Sequence, residues 1–186
     1  MRHMLRSWVV AAILMSLALV TGGGVTAQDS PAQGPVINVP NPTLGDTVSY
    51  ITESGSEVAH LKATTIELEW DGYSEYYPPT EGKQYVAIVV EVTNLGSRGN
   101  FIIRADDFRL QDIDGFFITR SWADASETAD LIPAESEVAV APGETSQVVL
   151  VYEVLTGIEL SHLFWQPEYE RLLTVADLNG YIPGES

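Results

Sequence analysis

Cysteine is absent from this chain of 186 residues, and basic residues are scarce. Without Cys the chain cannot carry a zinc finger, a thiol redox centre, a Cys nucleophile or the lipid-bearing Cys of a lipoprotein. Nine Lys or Arg residues stand against 26 Asp or Glu residues, for a net charge of −17. This charge repels phosphate backbones, so the sequence predicts no nucleic-acid binding; cations or basic partners would be attracted.

Motifs that carry catalysis are also missing. The chain has no Gly-x-Ser-x-Gly elbow and no His-Glu-x-x-His zinc motif. The 26 acidic residues single out no pair for glycosidase chemistry. We interpret His60 and His162 as strand or rim residues rather than general bases. The sequence therefore predicts no catalytic residues and no cofactor, with a hydrolase as a distant alternative.

The amino terminus has the three parts of a secretory signal peptide. Arg2 and Arg6 precede an uncharged apolar run of 13 residues, Trp8–Val20, and small residues follow. A spanning helix needs roughly 20 residues. We therefore predict a signal peptide over residues 1–27, cleavage after Ala27, and a secreted protein without stable membrane insertion. A retained amino-terminal membrane anchor is the alternative. Cleavage removes two basic residues and no acid, which deepens the net charge from −17 to −19.

The remainder of the chain divides into three predicted regions. Residues 28–45 contain four prolines and few apolar residues, which is typical of an extended or disordered linker. Residues 46–178 form the predicted domain, and residues 179–186 a carboxy-terminal tail.

Period-two alternation of apolar residues indicates strands throughout this domain. Asp112–Gly115 is a hairpin turn signal between two β-rich runs. Trp122–Glu137 is polar and Ala-rich, and is either a loop or one short helix. The economical fold is all-β: an immunoglobulin-like antiparallel β-sandwich of seven to nine strands. The predicted core consists of Ile66, Leu68, Trp70, Val86, Ile88, Val90, Val92, Phe108, Leu110, Val148, Leu150, Tyr152 and Trp165.

Three blocks of sequence occur in a recognisable order: Gly82–Asn94, Phe108–Gly115, and Pro142-Gly143 followed by a strand ending at Val154. In this order they resemble the secreted bacterial domain of unknown function 4352. The resemblance covers residues 47–175 and implies an immunoglobulin-like sandwich, similar to a mycobacterial immunoprotective extracellular antigen. It implies a secreted or surface-attached bacterial protein and no catalytic residues. Many members are lipoproteins, from which this chain departs because it lacks Cys.

Aromatic residues mark the candidate binding site. The loop Asp71–Pro79 contains Tyr73, Tyr76 and Tyr77, and Trp122 lies in the later acidic segment. Tyrosine offers a large contact area at low entropic cost. We predict that these four rings bind an extracellular protein or other ligand, a basic partner being one option. The alternative is that the rings fold down and cover one end of the sandwich.

Aspartates provide a candidate cation site. Asp106, Asp107, Asp112 and Asp114 could supply the hard oxygen ligands that Ca²⁺ prefers. The alternative is that Asp side chains cap a hairpin, because Gly115 comes too early for an EF-hand loop and the closing Glu is missing. The predicted function is therefore a secreted, acidic, non-enzymatic binding module, with a Ca²⁺-dependent cell-envelope module as the alternative.

Overall fold

The computed structural model describes residues 40–168 and 171–184. The predicted signal peptide, its cleavage site and most of the predicted linker lie outside these residues. In the described part of the chain, no helix is long and apolar enough to cross a membrane.

The described residues form an antiparallel β-sandwich. The strands are β1 Val48–Ile51, β2 Glu57–Glu67, β3 Lys83–Asn94, β4 Phe101–Arg104, β5 Phe108–Asp112, β6 Phe117–Ile118, β7 Glu137–Val140, β8 Thr145–Leu155, β9 Leu160–Glu168 and β10 Arg171–Asp177. One sheet has the strand order β1-β2-β3-β8, a second has the order β10-β9-β5-β6, and β4 pairs with β7. A 3₁₀ turn, Ala105–Asp107, precedes β5. The predicted all-β antiparallel sandwich is confirmed, with ten strands among the described residues where the sequence predicts seven to nine.

The main core lies between the two four-stranded sheets. Alternate residues of β3 and β8, among them Ile88 and Leu150, face Phe108, Leu110 and Trp165 of the second sheet, and all are buried. Of the predicted core residues, Ile66 and Leu68 pack at its margin. The alternation of apolar residues in the sequence correctly predicted the other residues of this core, because each strand presents every second side chain to the same face.

Strand β3 is buried on both faces, which its alternation does not predict. A second apolar cluster covers the outer face of the first sheet, and Trp70 belongs to it rather than to the main core. Trp70 is buried as predicted, but it joins the second cluster because it lies beyond the end of β2 at Glu67. Residues 121–134, which we call the strap, cross this face without forming a helix. The cluster consists of Trp70, Tyr85, Ala87, Val89, Ala123, Val149 and Val151, with Tyr73, Ala125, Ala129 and Leu131 packed against it.

The predicted hairpin turn joins β5 to β6. The backbone N–H of Phe116 donates to Asp112 Oδ1 at 2.8 Å, and Gly115 has a φ of +87°. Both ends of the described chain contact the sandwich, since Leu44 and Tyr181 pack against the main core. The packed domain therefore extends beyond the predicted boundaries at 46 and 178.

Candidate functional site

Two segments that are distant in sequence form one surface beside the first sheet. The N–H of Ser74 donates to the Asp124 carbonyl at 2.7 Å, and the N–H of Ser126 donates to the Gly72 carbonyl at 2.7 Å. An antiparallel bridge joins Tyr73 to Ala125 between them. We call residues 71–80 and 121–130 the loop pair. This backbone pairing holds the two loops together beside the first sheet and fixes the directions of their side chains.

The four predicted aromatic residues all lie on the loop pair, but they divide into two groups. Tyr73 packs against Tyr85, with ring centroids 5.4 Å apart, so this ring folds down as the alternative proposed. The other three rings are exposed: Tyr76 is 80% exposed, Tyr77 48% and Trp122 64%. The loop pair therefore presents three aromatic rings to solvent and uses the fourth for packing.

Arg120 positions the strap, and the sequence reasoning missed it. Its Nη2 donates to the Ala134 carbonyl at 2.8 Å, and its Nη1 lies 3.4 Å from Asp106 Oδ1. The guanidinium also lies over the Trp122 ring, so one face of that ring is covered. A signal was available, because Arg120 is the only Lys or Arg between Leu110 and residue 171. A single basic residue in so acidic a stretch indicates a structural role, because a buried charge must be paired or hydrogen-bonded.

A cavity of about 290 Å³ opens where the loop pair meets the end of β2. Burial raises the pKa of Glu67, and the carboxylates of Asp71 and Asp130 raise it further. Among the described residues, no Lys, Arg or His forms an ion pair with any of these three carboxylates. The cavity therefore has a negative potential that favours a cationic group. It is lined by Glu67, Trp70, Asp71, Gly72, Ser126, Thr128, Ala129 and Asp130.

The four aspartates of the predicted cation site do not come together. Asp106 and Asp107 precede β5, whereas Asp112 and Asp114 lie at its far end, roughly 15 Å away for a strand of this length. Asp112 is 5% exposed and caps the hairpin turn. Across the described part of the chain, no group of three or more His, Cys, Asp or Glu side chains could hold a metal ion.

The two histidines of the domain have local partners. His60 Nε2 lies 3.0 Å from Glu57 Oε1. His162 Nδ1 lies 2.7 Å from Ser161 Oγ, which is the contact that a nucleophilic serine would make with its base. Ser161 is buried, however, so its hydroxyl is not presented to a substrate. This Ser–His contact is therefore a packing contact of β9.

Comparisons with solved structures find proteins of similar structure. A putative lipoprotein (ycdA) from Bacillus subtilis subsp. subtilis str. 168 matches with a TM-score of 0.53 and 16% identity, over 76% of this chain and 39% of that protein. The secreted protein MPT63 from Mycobacterium tuberculosis matches with a TM-score of 0.48 and 16% identity, over 74% of this chain and 95% of that one. An uncharacterized beta-sandwich protein from Clostridium difficile 630 matches with a TM-score of 0.43 and 15% identity, over 76% of this chain and 97% of that one. At 16% identity the likeness to the Bacillus protein bears on the fold alone, and nothing is argued from the two matches with TM-scores below 0.5.

A comparison with curated protein sequences finds no match. The chain spans about two fifths of the length of the Bacillus putative lipoprotein. A family model matches residues 50–169, which is more than half of the chain and includes all three blocks on which the resemblance rested. The match confirms that resemblance, and the chain belongs to the family described as domain of unknown function DUF4352.

Proposed function

We propose that this protein is an exported, non-enzymatic module that binds a Lys- or Arg-rich segment of an extracellular partner on its loop pair. One observation carries the proposal: the loop pair has both exposed aromatic rings and the carboxylates of Asp71 and Asp130, which form no ion pair with any described Lys, Arg or His. No Lys or Arg occurs in residues 71–82 or 121–137. The amino terminus, with its signal-peptide pattern, supports export.

The chemistry of the loop pair suits a basic ligand. A Lys or Arg side chain over an exposed Tyr or Trp ring gains about 0.5–1 kcal/mol. The exposed rings of Tyr76, Tyr77 and Trp122 are available for such contacts, and Tyr adds contact area with little loss of side-chain entropy. The carboxylates of Asp71 and Asp130 would attract the cation and accept its hydrogen bonds at the 290 Å³ cavity. The net charge of −19 that remains after the predicted cleavage accelerates the encounter with a basic partner at low salt.

Binding of labelled peptides tests the proposal. We expect a fluorescein-labelled peptide of alternating Arg, Lys and Ser to bind residues 28–186 in fluorescence anisotropy, and a peptide with Gln in place of Arg and Lys not to bind. Raising NaCl from 50 to 300 mM should weaken the binding at least tenfold, because salt screens exposed charges. Absence of binding to the basic peptide at 50 mM NaCl would contradict the proposal.

A pair of variants locates the site. Tyr76→Ser combined with Tyr77→Ser should weaken binding of the basic peptide about tenfold, as expected for the loss of two aromatic contacts. Phe116→Ser is the matched control, since Phe116 is 71% exposed but lies in the β5–β6 turn. If the double variant and the control bind equally well, the loop pair is not the site.

A further inference from the structure

The hydroxyl of Tyr152, in β8, is buried without a partner. Tyr152 is 0% exposed and belongs to the main core. Among the described residues, no donor or acceptor forms a hydrogen bond with its Oη. Burial raises the pKa of Tyr152, so the hydroxyl keeps its hydrogen. Phenylalanine would fill the same space without this polar atom, whereas a buried hydroxyl that forms no hydrogen bond lowers the folding equilibrium constant roughly tenfold.

Arg120 carries a second buried polar atom of this kind. Its Nη2 donates to the Ala134 carbonyl, and its Nη1 lies 3.4 Å from Asp106 Oδ1. The Nε–H of Arg120 forms no hydrogen bond with any described residue, although the side chain is only 5% exposed. A buried guanidinium is stable only where its donors are hydrogen-bonded, so this third donor calls for an acceptor.

Arg120 and Tyr152 lie directly opposite each other. An isolated antiparallel bridge joins them. The N–H of Ser121 donates to the Val151 carbonyl at 2.7 Å, which makes 120 and 152 a non-hydrogen-bonded pair. In such a pair the Cα atoms are about 4.5 Å apart and both side chains leave the same face. Burial is the main influence on the pKa of Tyr152, but the charges of Arg109 and Arg120 oppose it, so both lie within electrostatic reach of the hydroxyl.

We propose that one water molecule is buried between Arg120 and Tyr152, where it accepts a hydrogen bond from Arg120 Nε and another from Tyr152 Oη. A buried water typically forms about three hydrogen bonds with groups that lack other partners. The third is donated to a carbonyl, and that of Ala134, beside the guanidinium, has a second lone pair. A chloride ion would also accept from two donors, but the net charge of −19 after the predicted cleavage opposes a buried anion.

This water fastens the strap to the main core. The strap is bonded to β8 by the backbone N–H groups of Ser121 and Ala134. Arg120 directly precedes the strap, and the water connects its guanidinium to the core through Tyr152. Because the strap carries Trp122 and half of the loop pair, Tyr152 is a positioning residue for that surface. The water site needs no peptide ligand, so it can be tested independently of the proposed function.

A crystal structure of residues 28–186, grown with bromide in place of chloride, tests the site directly. We expect one peak of ordered density within hydrogen-bonding distance of both Arg120 Nε and Tyr152 Oη, without anomalous signal from bromide. Three results would overturn the proposal: an empty site, a bromide ion at the site, or a direct hydrogen bond between the two side chains.

Thermal unfolding of Tyr152→Phe distinguishes a bound from an orphaned hydroxyl by sign. If the water is bound, the substitution should lower the Tm by about 3 °C, as expected for one lost hydrogen bond in a domain of this size. If the hydroxyl is orphaned, its removal leaves the Tm unchanged or raises it, and the proposal fails. Tyr85→Phe is the matched control: Tyr85 is 6% exposed, but its hydroxyl is not an orphaned buried atom, so the Tm should shift by less than about 1 °C.

A double-variant cycle tests whether the two side chains act through the same water. In the Arg120→Met background, Tyr152→Phe should lower the Tm by at most about a third of its effect in the unmodified protein. Additive shifts would contradict the shared water. Circular dichroism confirms that each variant is folded, and the crystal structure decides if Tyr152→Phe does not fold.

Hydrogen exchange provides a local measurement on the strap. Tyr152→Phe should accelerate exchange of the Ser121 and Ala134 amides, which bond the strap to β8, at least about threefold more than exchange of the Ile88 amide in β3. Equal acceleration at all three amides would show that the hydroxyl stabilises the whole domain rather than the strap, against the proposal.

Discussion

The guanidinium carbon of Arg120 lies 4.5 Å from the centre of the Trp122 ring. The same guanidinium contacts Ala134 at the other end of the strap and Asp106 in the 3₁₀ turn. The side chain of Arg120 is only 5% exposed, so its guanidinium is shielded from bulk water. One side chain thus holds both ends of the strap that covers the second apolar cluster.

Replacing Arg120 should therefore loosen the strap. We expect Arg120→Met to lower the free energy of unfolding by about 2 kcal/mol, because the Ala134 carbonyl loses its donor and Trp122 its cation. Asp106→Asn should cost less than about 1 kcal/mol, since the Asp106 side chain is 51% exposed. Urea denaturation measures both values. Equal losses in the two variants would mean that the ion pair, and not the contacts to the strap, dominates.

Packing against Trp70, rather than backbone conformation, should restrict position 72 to glycine. A Cβ at this position would lie 2.6 Å from atoms of the Trp70 ring. Gly72→Ala must displace a ring that is 2% exposed, so we expect a loss of about 2 kcal/mol in stability. Gly45→Ala is the complementary control: its Cβ meets nothing within 4 Å, but its φ is +92°, for a cost of about 1 kcal/mol. A loss at Gly72 no larger than that at Gly45 would contradict the packing argument.

The tyrosines of the loop pair should separate into a structural and an exposed group. Tyr73→Ser removes the ring that packs on Tyr85, and we expect it to lower stability by about 2–3 kcal/mol. Tyr76→Ser should change stability by less than about 0.5 kcal/mol, because its ring is 80% exposed. Thermal unfolding followed by circular dichroism distinguishes them. A large loss for Tyr76→Ser would show that this ring is packed in solution.

Two glutamates should affect the pH dependence of stability with opposite signs. Burial and two neighbouring carboxylates raise the pKa of Glu67 above its ordinary 4.5. Its ionised form therefore costs stability at neutral pH, and this cost disappears as pH falls through the raised pKa towards 4.5. We expect Glu67→Gln to raise stability at pH 7, by less than about 1 kcal/mol, and to have little effect below about pH 4.

Glu153 provides the opposite case. Hydrogen bonds from the backbone and side chain of Thr80, and the contact with Lys83, lower the pKa of Glu153. Its contribution to stability is present above the ordinary pKa of 4.5 and is lost as pH falls through the lowered value. Glu153→Gln should cost about 1 kcal/mol at pH 7. The cost should vanish at a pH low enough to protonate Glu153 in both the folded and the unfolded state. Urea midpoints between pH 3 and 8 test both variants, and the same sign at pH 7 would contradict the assignment.

Much of the sandwich is determined by local sequence. The alternation from Val148 to Val154 and the Asp112–Gly115 turn act over two to four residues, so they specify strands, their inward faces and one hairpin without knowledge of their neighbours. The three sequence blocks likewise identify the family, since they lie within these regular elements. Composition, too, excludes Cys-dependent chemistry without any coordinates.

Tertiary structure determines which residues come together in the candidate site. Tyr73 pairs with Ala125, and Arg120 reaches both Asp106 and Ala134, across separations that no periodicity encodes. These contacts determine which rings are buried and which loops form a surface. The sequence by itself determined the strands and the residue types of the loops; only the packing of distant segments against the outer face of the first sheet decided how those loops combine.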